Sequence, residues 1–133
     1  MGQGLIMAKL ILPDTDILID FFRGYEKAVA FIDKYNDRII ISSIVVAELF
    51  AGVKGKKEEG TLEDFVSLFP VITLNSEIAK VGGLYKRDFG KSHGIGLADA
   101  IMAATAEIEN AELMTLNTKH YPMISGLKPA YKK

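Results

Sequence analysis

The 133-residue chain contains no cysteine, which removes disulfide frameworks, thiolate zinc sites and cysteine nucleophiles. Proline is scarce, at four residues, and no stretch rich in Pro, Gly or Ser is long enough to link two domains. No apolar run approaches the roughly 18 residues of a membrane helix, and no solenoid-period repeat is visible. The first twelve residues carry neither a basic region nor a small-residue cleavage site, so no secretory signal is read and a cytoplasmic location is expected. A net charge of −1 excludes a protein that holds nucleic acid by bulk electrostatics. What is present is a hydrophobic fraction of 49% beside 25% charged residues, enough for one packed core and too apolar for a disordered chain. The expected organisation is one domain over residues 8–133, with residues 1–7 as an N-terminal extension.

Short apolar runs alternate with longer segments of helical spacing. Lys9–Leu12, Arg38–Ile41, Val71–Thr73 and Leu113–Thr115 have the length and flanks of buried parallel strands. Between them, Asp16–Phe22 ends at Gly24, and Glu26–Tyr35 gathers Ala28, Phe31, Ile32 and Tyr35 on one face. Ser43 is expected to cap Ile44–Val53, and Leu62–Leu68 leads to Pro70. Lys54 to Glu59 reads as an exposed turn. Asn75 opens a helix to about Asp88, and Leu97–Ile108 forms an Ala-rich one. Strands alternating with helices predict an α/β fold on a mostly parallel sheet. Leu127–Ala130 is a candidate edge strand, weakened by Pro129.

The acids sit where a core is expected. From Ile39 to Val53 the only charge is Glu48; from Ile95 to Ala106 it is Asp99; from Leu10 to Phe22 the charges are Asp14, Asp16 and Asp20. A carboxylate withdrawn from water without a partner costs several kcal/mol, so each needs a cap, a base from elsewhere, a shifted pKa or a metal ion. Singly, Asp14 reads as a helix N-cap and Asp99 as a first-turn acid favoured by the helix dipole, each worth about 1 kcal/mol. Asp20 reads as a surface partner of Arg23. Glu48 admits no such reading: it lies mid-helix, surrounded by Ile44, Val45, Leu49, Phe50 and Val53.

Together they point elsewhere. Ligands of open parallel sheets bind beyond the carboxyl ends of the strands, and Asp14, Glu48 and Asp99 all map to that edge. Like charges that converge need a cation, and an all-oxygen set selects Mg²⁺ or Mn²⁺. Such ions share their coordination with phosphates and support phosphodiester hydrolysis.

The strings that carry these acids resemble those of PIN-domain proteins. Leu12-Pro-Asp14-Thr15-Asp16-Ile-Leu-Ile-Asp20 is similar to their first motif, Ser42-Ser-Ile-Val-Val-Ala-Glu48-Leu-Phe-Ala-Gly52 to the second, Leu97-Ala-Asp99-Ala-Ile-Met-Ala-Ala-Thr105-Ala to the third, and Met114-Thr115-Leu-Asn117-Thr-Lys-His-Tyr-Pro122 to the fourth. All four occur in order, and length and opening look most like VapC-type toxins, the single-domain ribonucleases of toxin–antitoxin pairs. The resemblance implies a three-layer α/β/α sandwich and metal-dependent endoribonuclease activity. It implies Asp14, Glu48 and Asp99 as metal ligands, with Asn117 in a fourth position that is Asp in many relatives, leaving one negative charge fewer. Asp16 would make a water-mediated or supporting contact, and Thr15 and Ser43 would brace the carboxylates. His93 and His120 are read as polar residues rather than ligands, with His120 near the site.

RNA as substrate follows from the resemblance alone. Lys54, Lys56, Lys57, Lys86, Arg87 and Lys91 flank the motifs and are suited to hold a phosphate backbone. Phe21, Phe22, Phe31, Phe50 and Phe65 exceed what a small core needs, so a homodimer face or a groove for an antitoxin segment is expected. The competing reading is a nuclease-inactive PIN module that binds RNA or protein; only Asn117 favours it. A nucleotide-binding regulator would need a Gly-rich loop after the first strand, where Pro13-Asp14-Thr15-Asp16 stands.

Overall fold

In a computed structural model, residues 8–133 are described; the expected extension 1–7 lies outside them. The first strand, β1, spans Leu10–Pro13 and runs directly into α1, Thr15–Phe22. Gly24, with φ at 76°, turns the chain into α2, Glu26–Tyr35. The second strand β2, Ile41–Ser42, follows, then α3, Ser43–Ala51, and α4, Gly55–Val66. After β3, Val71–Ile72, come α5, Ser76–His93, α6, Leu97–Ile108, and β4, Ala111–Met114.

Among the described residues, all strand pairings are parallel. β1 aligns with β4, Leu12 opposite Leu113, and β2 with β3, Ile41 opposite Val71. A single parallel bridge, Ile11 to Ile39, joins the two pairs through Ile11 N–H to the Arg38 carbonyl, 2.8 Å, and Ile40 N–H to the Ile11 carbonyl, 2.9 Å. The strand order is therefore β3-β2-β1-β4. Right-handed crossovers in that order send α1–α4 to one face and α5–α6 to the other. The packing agrees: α1 meets α2 and α3, α3 meets α4, and α5 lies along α6. This is the expected α/β/α sandwich, and its strand order reverses between β1 and β4.

Helix α6 is buried continuously from Ala100 to Ala106, as its alanines permit. It lies between the sheet and α5, which approaches closely at Gly82; a Cβ there would meet Ile101 Cγ1 at 3.0 Å and its Cα at 3.2 Å.

Several boundaries differ from expectation. Lys56 to Glu59 form the first turns of α4 rather than an exposed turn, and Glu58 Oε1 accepts from Lys54 N–H at 2.9 Å to seat its start. Helix α5 continues five residues past Asp88, through Gly90, to a left-handed stop at Gly94. Ser42, not Ser43, caps α3, accepting from Ile44 N–H at 3.1 Å. Ser43 Oγ instead accepts from Leu74 N–H, 3.1 Å, so it braces the chain after β3 and no carboxylate. Leu127–Ala130 forms no strand; its link to the sheet edge is Ala130 N–H to the Thr115 carbonyl, 2.9 Å. Phe31 and Phe65 are core residues, Phe21 and Phe50 pack against that core, and of the five only Phe22 is exposed.

Candidate metal centre

Asp14 follows β1 and caps α1: its Oδ1 accepts from Thr15 N–H at 2.8 Å. The cap reading is thus correct as far as it goes. Its other oxygen faces the end of β4, where Oδ2 accepts from Thr115 Oγ1 at 2.9 Å and Tyr121 Oη at 2.8 Å. Asp14 is 8% exposed and touches no Lys or Arg.

The other two acids join through hydroxyls. Glu48 stands on the exposed side of α3, and its Oε1 accepts from Thr15 Oγ1 at 2.6 Å. Asp99, in the first turn of α6, takes the Tyr121 hydroxyl at 3.2 Å on Oδ1 and His120 Nδ1 at 3.1 Å on Oδ2. One network therefore runs Glu48–Thr15–Asp14–Tyr121–Asp99–His120, built from four separate parts of the chain. It lies at the β1/β4 reversal, the place where open α/β sheets bind ligands.

The electrostatics are those of crowded acids. Burial, and then the charge of Asp14, raise the Asp99 pKa above the ordinary aspartate value; the His120 contacts and the Tyr121 bond lower it only in part. The Asp16 pKa is raised in the same order, by burial and by Asp14. Asp16 Oδ2 accepts from Leu116 N–H at 3.0 Å and Thr115 Oγ1 at 3.3 Å, whereas its Oδ1 is buried with no hydrogen-bond partner. The Tyr121 phenol is held protonated, its pKa pushed far up by burial and by Asp14 and Asp99.

Among the described residues, no three His, Cys, Asp or Glu side chains are arranged to hold an ion as they stand. The hydroxyls of Thr15, Thr115 and Tyr121 already bond to Glu48 Oε1, to Asp14 Oδ2, and to Asp14 Oδ2 and Asp99 Oδ1 respectively. The donor chemistry nonetheless fits a hard divalent cation: carboxylates from three elements, one orphaned carboxylate oxygen, and no Lys or Arg in contact with Asp14, Asp16, Glu48 or Asp99. Asn117 is exposed beside the network, and its N–H donates to Thr115 Oγ1 at 3.0 Å.

A PIN domain family model matches residues 11–123. The chain belongs to the PIN-domain family. Ribonuclease VapC19 of Mycobacterium tuberculosis is 36% identical to it over 124 residues, 90% of this chain and 98% of that protein. Ribonuclease VapC10 of the same organism is 34% identical, over 92% of this chain and 93% of its own. Among solved structures, the toxin–antitoxin complex from Klebsiella pneumoniae contains a chain that is 31% identical, with a TM-score of 0.80; the match covers 92% of this chain and 99% of that one. The VapBC2 complex from Rickettsia felis, bound to a promoter DNA fragment, matches with a TM-score of 0.73 at 27% identity, over 89% and 95%.

Beside Glu48 this PIN domain has a groove of about 680 Å³ between α1, α3 and α4. Ile19, Phe22, Leu49, Val53 and Leu62 supply apolar walls, and Arg23, Lys54 and Lys57 stand with them. A second cavity, about 620 Å³, lies along the outer edge of β4 and includes none of the site's acids. The expected basic flank holds only in part. Lys86 Nζ donates to the Ile95 carbonyl at 2.7 Å and is engaged within the fold, whereas Arg87 forms an exposed pair with its neighbour Asp88 at 2.8 Å.

Asp20 is not a surface partner of Arg23. It is 5% exposed and accepts from Tyr131 Oη at 2.7 Å and Lys133 Nζ at 3.0 Å. Thr115 and Tyr121 lie within the string that resembles the fourth motif, yet the sequence gives them no role, although both touch Asp14. A buried Tyr or Thr hydroxyl seeks an acceptor, without saying which. No helix among the described residues is long and apolar enough to cross a membrane.

Proposed function

We propose that this chain is a divalent-metal-dependent endoribonuclease that hydrolyses RNA phosphodiester bonds as the toxin of a type II toxin–antitoxin pair. The observation that carries the reading is the hydroxyl-linked network joining Glu48, Asp14 and Asp99 with no Lys or Arg among them. Asp14, Glu48 and Asp99 are the residues to hold Mg²⁺ or Mn²⁺, with Asn117 a neutral fourth group beside them. When bound, such an ion activates water and neutralises the leaving oxygen. The protein's own part is to orient and to bind. Thr15 and Thr115 orient the Glu48 and Asp14 carboxylates, and Arg23, Lys54 and Lys57 hold the phosphate backbone next to Glu48.

The ribonuclease names of the relatives support RNA as substrate, and the toxin–antitoxin complexes support a protein partner. The apolar walls beside Glu48 suit an amphipathic helix of an antitoxin, which would cover the site and its basic neighbours together. Leu68, Val71 and Leu74 are exposed along the outer strand β3 and are the residues we assign to a homodimer face.

The deciding experiment incubates the purified protein with a mixed RNA pool and Mn²⁺, with or without EDTA, beside Glu48→Gln. Cleavage that EDTA and Glu48→Gln each abolish is expected. Cleavage that survives either would overturn the metal mechanism.

A further inference from the structure

Tyr121 is bound more tightly into the acid cluster than its chemistry allows without sharing. A phenol has one proton to donate, yet its oxygen lies 2.8 Å from Asp14 Oδ2 and 3.2 Å from Asp99 Oδ1. The side chain is 1% exposed, so the ring cannot swing out to water. On Asp14, Oδ2 also accepts from Thr115 Oγ1 at 2.9 Å, and Oδ1 accepts from Thr15 N–H at 2.8 Å. A carboxylate offers about four lone-pair positions. Three of those on Asp14 therefore face donors, two of which, Tyr121 and Thr115, share their one proton with Asp99 and Asp16 respectively, and the remaining position is on Oδ1.

We infer that Tyr121 is a positioning residue of the metal site, its hydroxyl holding Asp14 and Asp99 side by side and leaving the unused lone pair of Asp14 on Oδ1. The inference rests on reading Asp14 and Asp99 as ligands. No Lys or Arg lies between these two acids, so without the shared hydroxyl their repulsion turns them apart. Partners of this kind, which orient a ligand without touching the metal, govern affinity strongly. Thr115 works from the other side of Asp14 and is itself fixed, its carbonyl accepting from Ala130 N–H at 2.9 Å.

The test is calorimetric titration of Mn²⁺ into wild type and Tyr121→Phe, with a thermal melt of each metal-free protein. Phe fills the same buried space but removes a donor from a buried carboxylate, so its metal-free melt should lie somewhat below that of wild type, and binding is compared at a temperature where both are folded. The Mn²⁺ dissociation constant should rise about 10–100-fold. Equal or tighter binding by Tyr121→Phe, with wild type binding normally, overturns the positioning role and leaves the metal site standing. Wild type that binds no Mn²⁺ overturns both. A measurement on the wild type alone covers a variant that does not fold. In protein labelled at the tyrosine ζ carbon, the Tyr121 signal should move on Mg²⁺ addition and saturate with the binding isotherm; a signal unmoved at saturation overturns the inference.

Discussion

Thr15 Oγ1 donates to Glu48 Oε1 at 2.6 Å, joining the first helix to the third at the mouth of the acid cluster. The same residue donates its N–H to Asp14 at 2.8 Å. A short polar side chain next to the strand end thus orients two acids that lie 34 positions apart in sequence. Replacing Thr15 by Val keeps the branched shape and removes the hydroxyl, which frees the Glu48 carboxylate to rotate. Nuclease activity should fall by about 10–100-fold, while stability changes by no more than about 1 kcal/mol. Thr15→Ser should restore most of the activity. Initial cleavage rates and urea melts on the three proteins check this.

The close approach of α5 to α6 gives a paired test. At Gly82 a Cβ would meet the Ile101 backbone and side chain, so Gly82→Ala should cost about 1–3 kcal/mol by forcing the helices apart. Gly83, one residue on, has nothing within 4 Å of its would-be Cβ. Gly83→Ala should therefore be neutral or stabilise by up to about 1 kcal/mol through helix propensity. Equal effects at the two positions would contradict the packing. Because α6 carries Asp99, Gly82→Ala should also lower activity at a temperature where it remains folded.

Asp20 yields a stability prediction with a pH signature. Burial alone would push its carboxyl up, but bonds from Tyr131 and Lys133, and the charges of Lys133 and Arg23, bring it below the ordinary aspartate value. A depressed acid stabilises the fold above its unfolded pKa, and that stability is lost as pH falls through the folded value. Tyr131→Phe removes one donor from a buried oxygen and should cost about 1–3 kcal/mol near neutral pH. The gap from wild type should narrow as the pH is taken below about 3.8, the ordinary aspartate value. Denaturant melts at pH 7 and at stepped values below 3.8 follow the narrowing.

How far the sequence could be read follows from which interactions are local. Helix α6 was legible to the residue because its composition, boundaries and spacing all agree, and the acids of the site stood out as isolated charges in apolar segments. The start of α4 was not, since Lys56 to Glu59 carry no apolar periodicity and their helix depends on the turn at Gly55 and the cap from Glu58. Asp20 was misassigned for the opposite reason. Its nearest base in sequence is Arg23, but the groups that reach it, Tyr131 and Lys133, come from more than 110 residues away. Tyr121 and Thr115 both lie inside the string that resembles the fourth motif, but their donation to Asp14 spans more than 100 residues, and spacing along the chain does not show it.

Asp99 separates a functional from a structural reading of the acids. Its pKa is raised, by burial first and by Asp14 second, so folding disfavours its charged form. A raised acid costs nothing below its unfolded pKa, and it weakens the fold progressively as pH rises through the folded value. At neutral pH, Asp99→Asn should therefore leave the metal-free protein as stable as wild type or more so, despite the loss of the His120 contact. As pH is lowered toward the ordinary aspartate range, that advantage should disappear. Millimolar Mn²⁺ should raise the melting temperature of wild type and not that of Asp99→Asn, because the ion relieves a repulsion that the variant no longer has. A first-turn acid serving only the helix dipole would behave differently, its removal costing up to about 1 kcal/mol with no response to Mn²⁺. Four melts at low ionic strength, each protein with and without Mn²⁺, distinguish the two. A less stable variant together with a metal-insensitive wild type would make Asp99 structural.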